Sequence, residues 1–556
     1  MTNKVFIGVA LPYVNGDLHV GHLAGYLIPA DIFSRFSRLR GYETLMVSGT
    51  DCHGTPITVE ADKRKISPQK LIEEYTPKVH KLIKTYRATY DIFTSTTTEN
   101  HKKITQEFFL NLLKNGYILK EKSFQYFSQK ENRFLPDRYV EGECKFCHAK
   151  EQRGDQCENC GRSLEPGDLI NPKSKLTGSE VILKETEHYF FDYPKLQKEI
   201  EDFVSNSNHW REWVYKETNG FLREGLIPRA ITRDIDWGII LPKEKIPENF
   251  LIENIDQKRF YVWFEAVIGY FSASVEWAEK NNKNWEDFWL DPSCRHYYFM
   301  GKDNLIFHTI FWPAELIGQR KGYNLPYFPA VNNFLLLEGK KFSKSRGVHI
   351  DSLEIAENYG VDNVRFYISS ILPENKDADF KWQEFKETIN NELVDKIGNF
   401  IHRVLTFYDE KLNQKIEKEN LSNEVLNKTE EVLKEYEKHL ERCEMVRAFN
   451  LILDYVSFAN QYFDKEKPWS LASRQGGQSG LKEKEKIEEI IFSSLQIINN
   501  LRILLWPFIP FSMEKLSEIL GLKIEPKIDK NHFVFQKIKN IKLKEKPKPL
   551  FKKMVT

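Results

Sequence analysis

Residues 10–22 of the chain, ALPYVNGDLHVGH, decide the fold. They follow an apolar run, 5–10, that is typical of a buried strand, and they lead into a segment with apolar side chains at helical spacing. This order points a helix N-terminus at the carboxyl end of a strand, where exposed N–H groups and the helix dipole suit phosphate. His19 and His22, separated by Gly21, add side-chain donors. An ordinary turn with two solvated histidines is the alternative, and this stretch alone does not decide between the two.

The composition is that of a folded protein with several domains. At 556 residues the chain is too long for one core, and its length predicts roughly three or four domains. Lysine plus arginine total 81 and aspartate plus glutamate total 80, so the overall charge neither favours nor excludes a nucleic-acid partner. No apolar run has the length of a membrane span. We therefore expect a cytoplasmic protein without a membrane partner.

A second strand is predicted at 44–49, and Asp51 follows its carboxyl end. Ligands of open parallel sheets bind outside those ends, so Asp51 is expected to face the same space as the two histidines; a turn or helix-cap residue is the alternative. Further apolar runs at 260–264 and 297–300 complete the pattern of an α/β protein with a doubly wound, Rossmann-like parallel sheet. Neither G-x-G-x-x-G nor G-x-x-x-x-G-K-[ST] occurs, which disfavours a dinucleotide oxidoreductase and a P-loop ATPase.

Four of the seven cysteines form two C-x-x-C pairs. Paired thiolates at this spacing can surround one Zn²⁺ tetrahedrally and stabilise a segment too small for its own core. Because four sulfur ligands leave no open position, the zinc is predicted to be structural. A redox role is the alternative, and it is disfavoured since no thioredoxin-like unit surrounds either pair. The predicted ligands are Cys144, Cys147, Cys157 and Cys160.

A basic loop follows an apolar strand predicted at 334–337. Residues 338–347 read EGKKFSKSRG, and Lys341 and Lys344 can close on polyphosphate as point charges. A solvated surface loop is the alternative. Beyond residue 379, apolar side chains at helical spacing predict an all-α module. Its first apolar stripe consists of Leu393, Ile397, Ile401 and Leu405.

The histidine and lysine motifs together resemble the paired signatures of class I aminoacyl-tRNA synthetases. They are His19-Val20-Gly21-His22 after the first strand and Lys341-Phe342-Ser343-Lys344-Ser345 near the end of the sheet. Over nearly the whole chain the sequence is similar to the methionyl-tRNA synthetase family. Besides the four cysteines, the similar segments are ALPYVNG at 10–16, DCHGTP at 51–56, YVW at 261–263, GKD at 301–303 and FHTIFWP at 307–313.

The resemblance implies an ATP-dependent ligation of L-methionine to methionine tRNA. Methionyl adenylate and pyrophosphate form first, and transfer of the aminoacyl group to the tRNA then releases AMP. Positioning and charge stabilisation carry the first step, with Mg²⁺ accompanying ATP. The family's catalytic and ATP-binding positions match His19, His22, Lys341 and Lys344, and a further catalytic position matches Arg233.

The resemblance also assigns two recognition sites. Asp51 would pair with the substrate ammonium, and aromatic rings would accept the thioether. In the helical module, Asn399, Arg403 and Trp469 match positions that read the anticodon of initiator and elongator methionine tRNA. A core anchor at a helix end is the alternative for Trp469. The predicted methionine pocket consists of Ala10, Leu11, Tyr13, Asp51, Trp263, Ala266, Tyr270 and His308.

The sequence departs from the family pattern at two apolar positions. Phe342 replaces the methionine of the usual loop, and Val267 stands where many bacterial members have proline; neither exchange is expected to alter the chemistry. The editing insertion of the isoleucine, leucine and valine enzymes is absent. A class I synthetase for cysteine or leucine remains an alternative. So does a non-catalytic tRNA-binding paralogue, which would be expected to have lost His22 or Lys344.

The chain is predicted to divide into six segments. No appended tRNA-binding domain follows the helical module, so a monomer is expected. The segments are the two halves of a Rossmann-like catalytic domain (1–117 and 258–330), an insertion (118–257) with a zinc knuckle at about 140–165, a lysine-loop linking domain (331–388), a helical anticodon-binding domain (389–535) and a basic C-terminal segment (536–556).

Overall fold

The central sheet of the computed structural model has five parallel strands: Lys4–Val9 (β1), Glu43–Thr50 (β2), Ile92–Ser95 (β3), Arg295–Gly301 (β4) and Pro326–Asn332 (β5). They run in the order β3-β2-β1-β4-β5, with Gly8 opposite both Val47 and Tyr298. The order reverses on either side of β1, so the sheet is doubly wound as predicted. A ligand crevice is therefore expected where β1 and β4 end.

The structure describes residues 4–136, 139–154, 157, 159–160, 164, 166–342, 349–472, 480–523, 538 and 541–554, with the backbone alone at Lys341 and Gly480. Lys344 of the predicted lysine loop lies outside the described residues. Among the helices of the described part, none has both the length and the apolar character that a membrane span requires.

The histidine turn begins a helix, as the sequence predicts. His19 is the N-cap: its Nδ1 atom accepts the N–H of Gly21 at 3.1 Å, and His22 Nδ1 accepts the N–H of His19 at 3.1 Å. This reciprocal cap satisfies backbone donors that a first helical turn leaves without partners. The helix is α-helical over Val20–His22, π-helical over Leu23–Leu27 and α-helical again over Ile28–Leu39.

Helices connect the strands and pack against the sheet. The prediction of a strand at 260–264 is wrong: only Arg259–Phe260 forms a strand, paired antiparallel with Thr232–Arg233, and a helix begins at Val262. This helix is buried around most of its circumference, and a short apolar run does not distinguish a buried strand from a buried helix. The remaining helices here are Thr55–Arg64, Pro68–Tyr86, Glu99–Lys114, Val262–Asn281, Glu286–Trp289 and Trp312–Gly318, with π-helical Phe307–Phe311 and 3-10 helical Lys302–Asn304.

Besides the two-stranded pair of Thr232–Arg233 and Arg259–Phe260, two larger antiparallel sheets lie between β3 and β4 in the described residues. Ile118–Ser128 pairs along most of its length with Ile182–Phe191. Val140–Cys144 pairs with Gln152–Arg153 and Leu169–Ser174, and this second sheet has its own small apolar core. The other elements are strands Arg133–Phe134 and Arg229–Ala230, helices Gln197–Ser205 and Glu212–Arg223, and 3-10 helices Tyr193–Leu196, Lys243–Lys245, Glu248–Phe250 and Ile255–Gln257.

A small sheet and a helical module follow β5. Leu335–Leu337 pairs parallel with Ala378–Phe380 and antiparallel with Lys340–Lys341. The predicted apolar stripe of the helical module is buried. The helices are Ser352–Tyr359, Val361–Ser370, Trp382–Thr388, Asn399–Leu412, Asn423–Glu441, Met445–Glu466, Pro468–Ala472, Gly480–Leu505 and Pro510–Leu520, with π-helical Ile389–Gly398.

A buried charge cluster centres on Asp31, in the helix behind the histidine turn. Asp31 Oδ2 accepts Arg35 Nε at 2.9 Å and lies 2.8 Å from Arg365 Nη2, while Oδ1 accepts the Thr89 N–H and hydroxyl at 2.8 Å each. Burial favours the neutral carboxyl, but the two guanidinium charges outweigh it and lower the pKa of Asp31. Asp31 is therefore ionised and pairs with both guanidinium groups.

Arg365 extends this cluster to the C-terminal module. Its guanidinium donates to the Phe508 carbonyl at 2.8 Å and to the Pro507 carbonyl at 2.7 Å, between the last two helices. The helix that follows the histidine turn is thus joined to the helical module through a fully buried ion pair.

We expect Asp31→Asn to lower the free energy of unfolding by about 3–5 kcal/mol, because it leaves buried guanidinium charges without their counter-ion. The change is measured as a shift of the denaturant midpoint. Glu357→Gln is the control, since Glu357 pairs with Lys81 where both side chains are about 60% exposed, and the loss of a surface pair costs about 1 kcal/mol at most. Equal shifts in the two variants would contradict the importance of the Asp31 cluster.

Candidate active site

A cavity of about 510 Å³ opens at the carboxyl ends of β1 and β4. Its walls come from the segment after β1, the residue after β2, the helix Val262–Asn281 and the π-helical Phe307–Phe311. This is the crevice that the strand order predicts. The predicted site residues that line it are Ala10, Leu11, Tyr13, His19, His22, Asp51, Trp263, Ala266, Tyr270 and His308.

The two histidines meet the start of the lysine loop at one wall of this cavity. The rings of His19 and His22 lie 4.1 Å apart, and His19 stacks on Phe342 with centroids 4.6 Å apart and an angle of 4° between the rings. A Cβ at Gly21 would lie 2.8 Å from the His19 ring, so this close packing requires glycine. Two motifs more than three hundred residues apart in the chain are therefore in contact, through the residue that follows Lys341.

Asp51 is buried beside the segment that follows β1. Its N–H donates to the Pro12 carbonyl at 2.9 Å, and its Oδ1 accepts the N–H of His53 at 3.3 Å. Burial and, second, the charge of Glu265 raise the pKa of Asp51 well above its ordinary value. An ammonium group in the cavity would favour the ionised carboxylate and counteract both effects.

Sequence reasoning missed a buried cluster next to Asp51. Glu265 Oε1 lies 3.0 Å from His53 Nδ1, and Oε2 lies 2.6 Å from His101 Nε2. Burial opposes ionisation of Glu265, but the charges and hydrogen bonds of the two histidines outweigh it and lower its pKa. These residues come from three distant parts of the chain, and no local motif links them.

The apolar end of the cavity is built around Trp263 and Tyr270. Trp263 stacks on Phe307 at 4.2 Å, and the Tyr270 hydroxyl donates to His308 Nε2 at 2.8 Å while His308 Nδ1 donates to the Asn304 carbonyl at 2.9 Å. This tautomer is assigned from the hydrogen bonds. Burial lowers the pKa of His308 to about 4, so the imidazole is neutral. This end of the pocket therefore presents aromatic faces and a neutral imidazole.

Arg233 is not among the residues that line the cavity. Its guanidinium lies 3.9 Å from the Tyr261 ring and donates to the carbonyls of Ala230 and Thr232 at 3.1 and 2.9 Å. Tyr261 occupies the N-cap position of the helix that carries Trp263, without a capping hydrogen bond from its side chain. A catalytic role for Arg233 stays a prediction.

The four predicted cysteines form a cluster in which all sulfur atoms lie within 4.8 Å of one another. None of them forms a disulfide. Zinc–sulfur bonds of about 2.3 Å in a tetrahedron require sulfur–sulfur distances of roughly 3.8 Å, so the arrangement fits Zn²⁺. Hydrogen bonds from the Ala149 N–H and the Asn159 amide lower the pKa of the Cys147 thiol to about 6, which favours the thiolate that a metal requires.

The three predicted anticodon residues lie in the helical module. Asn399 and Arg403 are one helical turn apart, and the Arg403 guanidinium lies 5.5 Å from the Trp469 ring and 5.2 Å from the Phe463 ring. Trp469 is 42% exposed, although one edge of its ring contacts Phe463 at 5.7 Å. An indole face next to a guanidinium is suited to stacking with an unpaired base.

Comparisons with known proteins agree with this arrangement. Residues 5–405 match the family of class I tRNA synthetases (M), and residues 414–556 match the anticodon binding domain of methionyl tRNA ligase. The methionine–tRNA ligase of Thermoplasma volcanium is 40% identical over 544 residues, which cover 97% of this chain and 96% of that protein. The enzyme of Chloroflexus aggregans is 39% identical over 94% of this chain and 88% of its own. The chain belongs to the methionyl-tRNA synthetase family.

Solved structures support the same fold. Mycobacterium tuberculosis methionyl-tRNA synthetase in complex with methionyl-adenylate has a TM-score of 0.76 to this chain at 22% identity, with 94% of each chain covered. The expectations of a class I synthetase, an enzyme, and a Rossmann-like domain with a C-terminal helical module are confirmed.

Sequence reasoning assigned only part of the lining of this cavity. Asp303, Asn304, Asn333 and Phe342 also line the cavity. Asp303 and Asn304 lie in the short 3-10 helix that follows β4, so the polar residues after that strand were the available signal. Asn333 directly follows β5.

Proposed function

We propose that this cavity carries out the activation step of the family's reaction, in which methionine and ATP form methionyl adenylate before transfer to methionine tRNA. The reaction is the ATP-dependent ligation of L-methionine to tRNA, with release of pyrophosphate and AMP. The observation that supports this assignment is the meeting of the histidine turn and the aromatic pocket in one cavity at the switch point of the sheet. One cavity can thus hold both substrates of the step.

ATP is assigned to the histidine wall. The positive end of the helix dipole at Val20 and the side chains of His19 and His22 favour phosphate at this wall, and Mg²⁺ accompanies ATP. Lys341 and Lys344 are proposed to neutralise the leaving pyrophosphate. The stacking of Phe342 on His19 supports this assignment, because it brings the start of the lysine loop to the same wall.

Methionine is assigned to the wall formed by Asp51 and the aromatic residues. The Asp51 carboxylate pairs with the ammonium, and the neutral aromatic faces of Trp263 and Tyr270 accept the polarizable thioether. An apolar pocket distinguishes substrates that differ by one methylene by only about 1–3 kcal/mol, so selectivity also depends on shape and sulfur contacts. The neutral His308 adds no charge that would attract an acidic side chain.

The helical module is proposed to read the anticodon of initiator and elongator methionine tRNA. Stacking of an unpaired base on Trp469 and hydrogen bonds from Asn399 and Arg403 suit a single-stranded loop. The exposure of Trp469 supports this role over that of a core anchor.

One structural zinc ion is proposed for the cysteine cluster. The four sulfur atoms would hold it in a closed tetrahedral site, where it links the segments on either side of the knuckle and leaves no position for a substrate. A monomeric state and a cytoplasmic location complete the proposal.

We expect pyrophosphate exchange into ATP with methionine and with no other amino acid of a complete panel. Asp51→Asn should raise the KM for methionine by about 10- to 100-fold, since a charge-assisted hydrogen bond is lost, while the KM for ATP changes little. Exchange with cysteine or leucine instead would favour another class I specificity. Absence of exchange with every amino acid would favour a non-catalytic tRNA-binding role.

We expect Trp469→Ala to raise the KM for tRNA in aminoacylation about 5- to 150-fold, because a stacked base contributes about 1–3 kcal/mol. Pyrophosphate exchange, which needs no tRNA, should stay near the unmodified rate. Trp469→Phe keeps a stacking surface and is the matched control. Equal losses in aminoacylation and exchange would instead identify Trp469 as a core anchor.

Metal analysis should give one zinc per chain. Chelation is expected to lower the thermal unfolding midpoint, since metal binding stabilises the knuckle, and added Zn²⁺ but not Mg²⁺ should restore it. Cys160→Ser removes the most exposed ligand and should reproduce the chelated state. A folded protein that contains no metal and is insensitive to chelation would contradict the zinc assignment.

A further inference from the structure

Glu265 is fully buried in the wall of the active site, yet it does not line the cavity. It lies on the same helix as Ala266 and Tyr270, which do. Its two oxygens contact His53 at 3.0 Å and His101 at 2.6 Å. A buried carboxylate of this kind is costly unless its partners compensate it, and here two imidazoles do so.

The contact with His101 anchors the carboxylate on a second helix. His101 Nδ1 lies 2.8 Å from the Ser272 hydroxyl, and His101 Nε2 lies 2.6 Å from Glu265 Oε2. Both ring nitrogens of His101 thus have partners on the helix that carries Glu265. The pair therefore links the helix Glu99–Lys114 to the helix Val262–Asn281.

The contact with His53 reaches the loop that carries Asp51. Asp51 Oδ1 accepts the His53 N–H, and Asp51 also accepts the N–H of Gly54. Tyr13 packs so closely on Gly54 that a Cβ there would lie 2.2 Å from the Tyr13 ring. A displacement of His53 would therefore move both backbone donors to Asp51 and a wall of the cavity.

We propose that Glu265 is a positioning residue for recognition of the substrate ammonium, because it holds His53 and thereby fixes the orientation of the Asp51 carboxylate. The inference rests on the proposed pairing of Asp51 with that ammonium. Glu265 acts through His53 and touches no substrate. Cys52 donates its N–H to Thr96 at 3.0 Å and its carbonyl accepts Trp237 Nε1 at 2.7 Å, so the backbone at Cys52 is held independently of Glu265, and the Glu265 contact fixes the loop at His53.

The test compares methionine with 4-(methylsulfanyl)butanoic acid, which has the thioether and carboxylate but no amino group. KM for methionine and the inhibition constant of this acid are measured in pyrophosphate exchange. Glu265→Gln should raise the KM for methionine about 10-fold or more and leave the inhibition constant, the KM for ATP and kcat within about threefold. Glu276→Gln, on the same helix and bonded to Thr94, is the matched control and should change none of these values.

Four outcomes would overturn the inference. If Glu265→Gln weakens the binding of methionine and of the acid equally, Glu265 supports only the shape of the pocket, and the inference is overturned. If neither binding constant changes, Glu265 has no role in the site, and the inference is likewise overturned. Asp51→Asn is expected to abolish the preference for methionine over the acid. If the preference remains, the proposed pairing of Asp51 with the ammonium is wrong, and the Glu265 inference that rests on it is overturned as well. If Asp51→Asn abolishes the preference and Glu265→Gln leaves it intact, only the Glu265 inference is overturned.

A second variant guards against loss of folding. His53→Asn cuts the link to the Asp51 loop but keeps the Glu265–His101 pair, and its unfolding midpoint is compared with that of the unmodified chain. It should reproduce the selective loss of methionine affinity. A folded His53→Asn protein that keeps full preference for methionine over the acid would overturn the inference.

Discussion

The ion pair between Asp31 and Arg365 is the constraint on which the arrangement of the domains depends. Arg365 hydrogen-bonds the carbonyls of Pro507 and Phe508, while Asp31 lies on the helix that begins at the histidine turn. A buried charge requires complete pairing, so only a placement of the helical module that satisfies all of these groups is stable. Apolar contacts alone would permit the helical module to slide along the catalytic domain. A network of directed hydrogen bonds does not permit this movement.

Two π-helical turns place side chains at the cavity. Leu23–Leu27 follows the histidines, and Phe307–Phe311 contains His308. A π turn inserts an additional residue and rotates the side chains that follow, and such turns are frequent at functional sites. Tyr26 and His308, one from each turn, both line the cavity. Two of the three π-helical segments in the described part of the chain thus lie at the cavity, and the third, Ile389–Gly398, lies in the helical module.

The features that could be predicted from the sequence are those that depend on residues close together in the chain. The histidine turn, the paired cysteines and the doubly wound character of the sheet all depend on short spacings or on the succession of strands and helices. The prediction at 260–264 was wrong because a helix buried on most sides has no apolar stripe to reveal it. The strand Ile92–Ser95 was also missed, since it is short and lies between two charged helices.

The contacts that orient Asp51 had no local signal. His53, His101 and Glu265 are separated by 48 or more residues, and only the packing of two helices against the end of β2 brings them together. Each of them, read singly, is a polar residue in an apolar or mixed segment. One sequence without aligned relatives carries no information on which of its polar residues meet.

The two walls of the cavity favour opposite charges. At one wall a helix N-terminus and two histidines favour an anion, and at the other a buried carboxylate favours a cation. An amino acid bound with its ammonium at Asp51 therefore directs its carboxylate away from that wall, toward the phosphates assigned to the histidines. In the proposed function, the opposite ends of the site would orient the attacking oxygen before the reaction begins, and positioning as well as charge would lower the barrier.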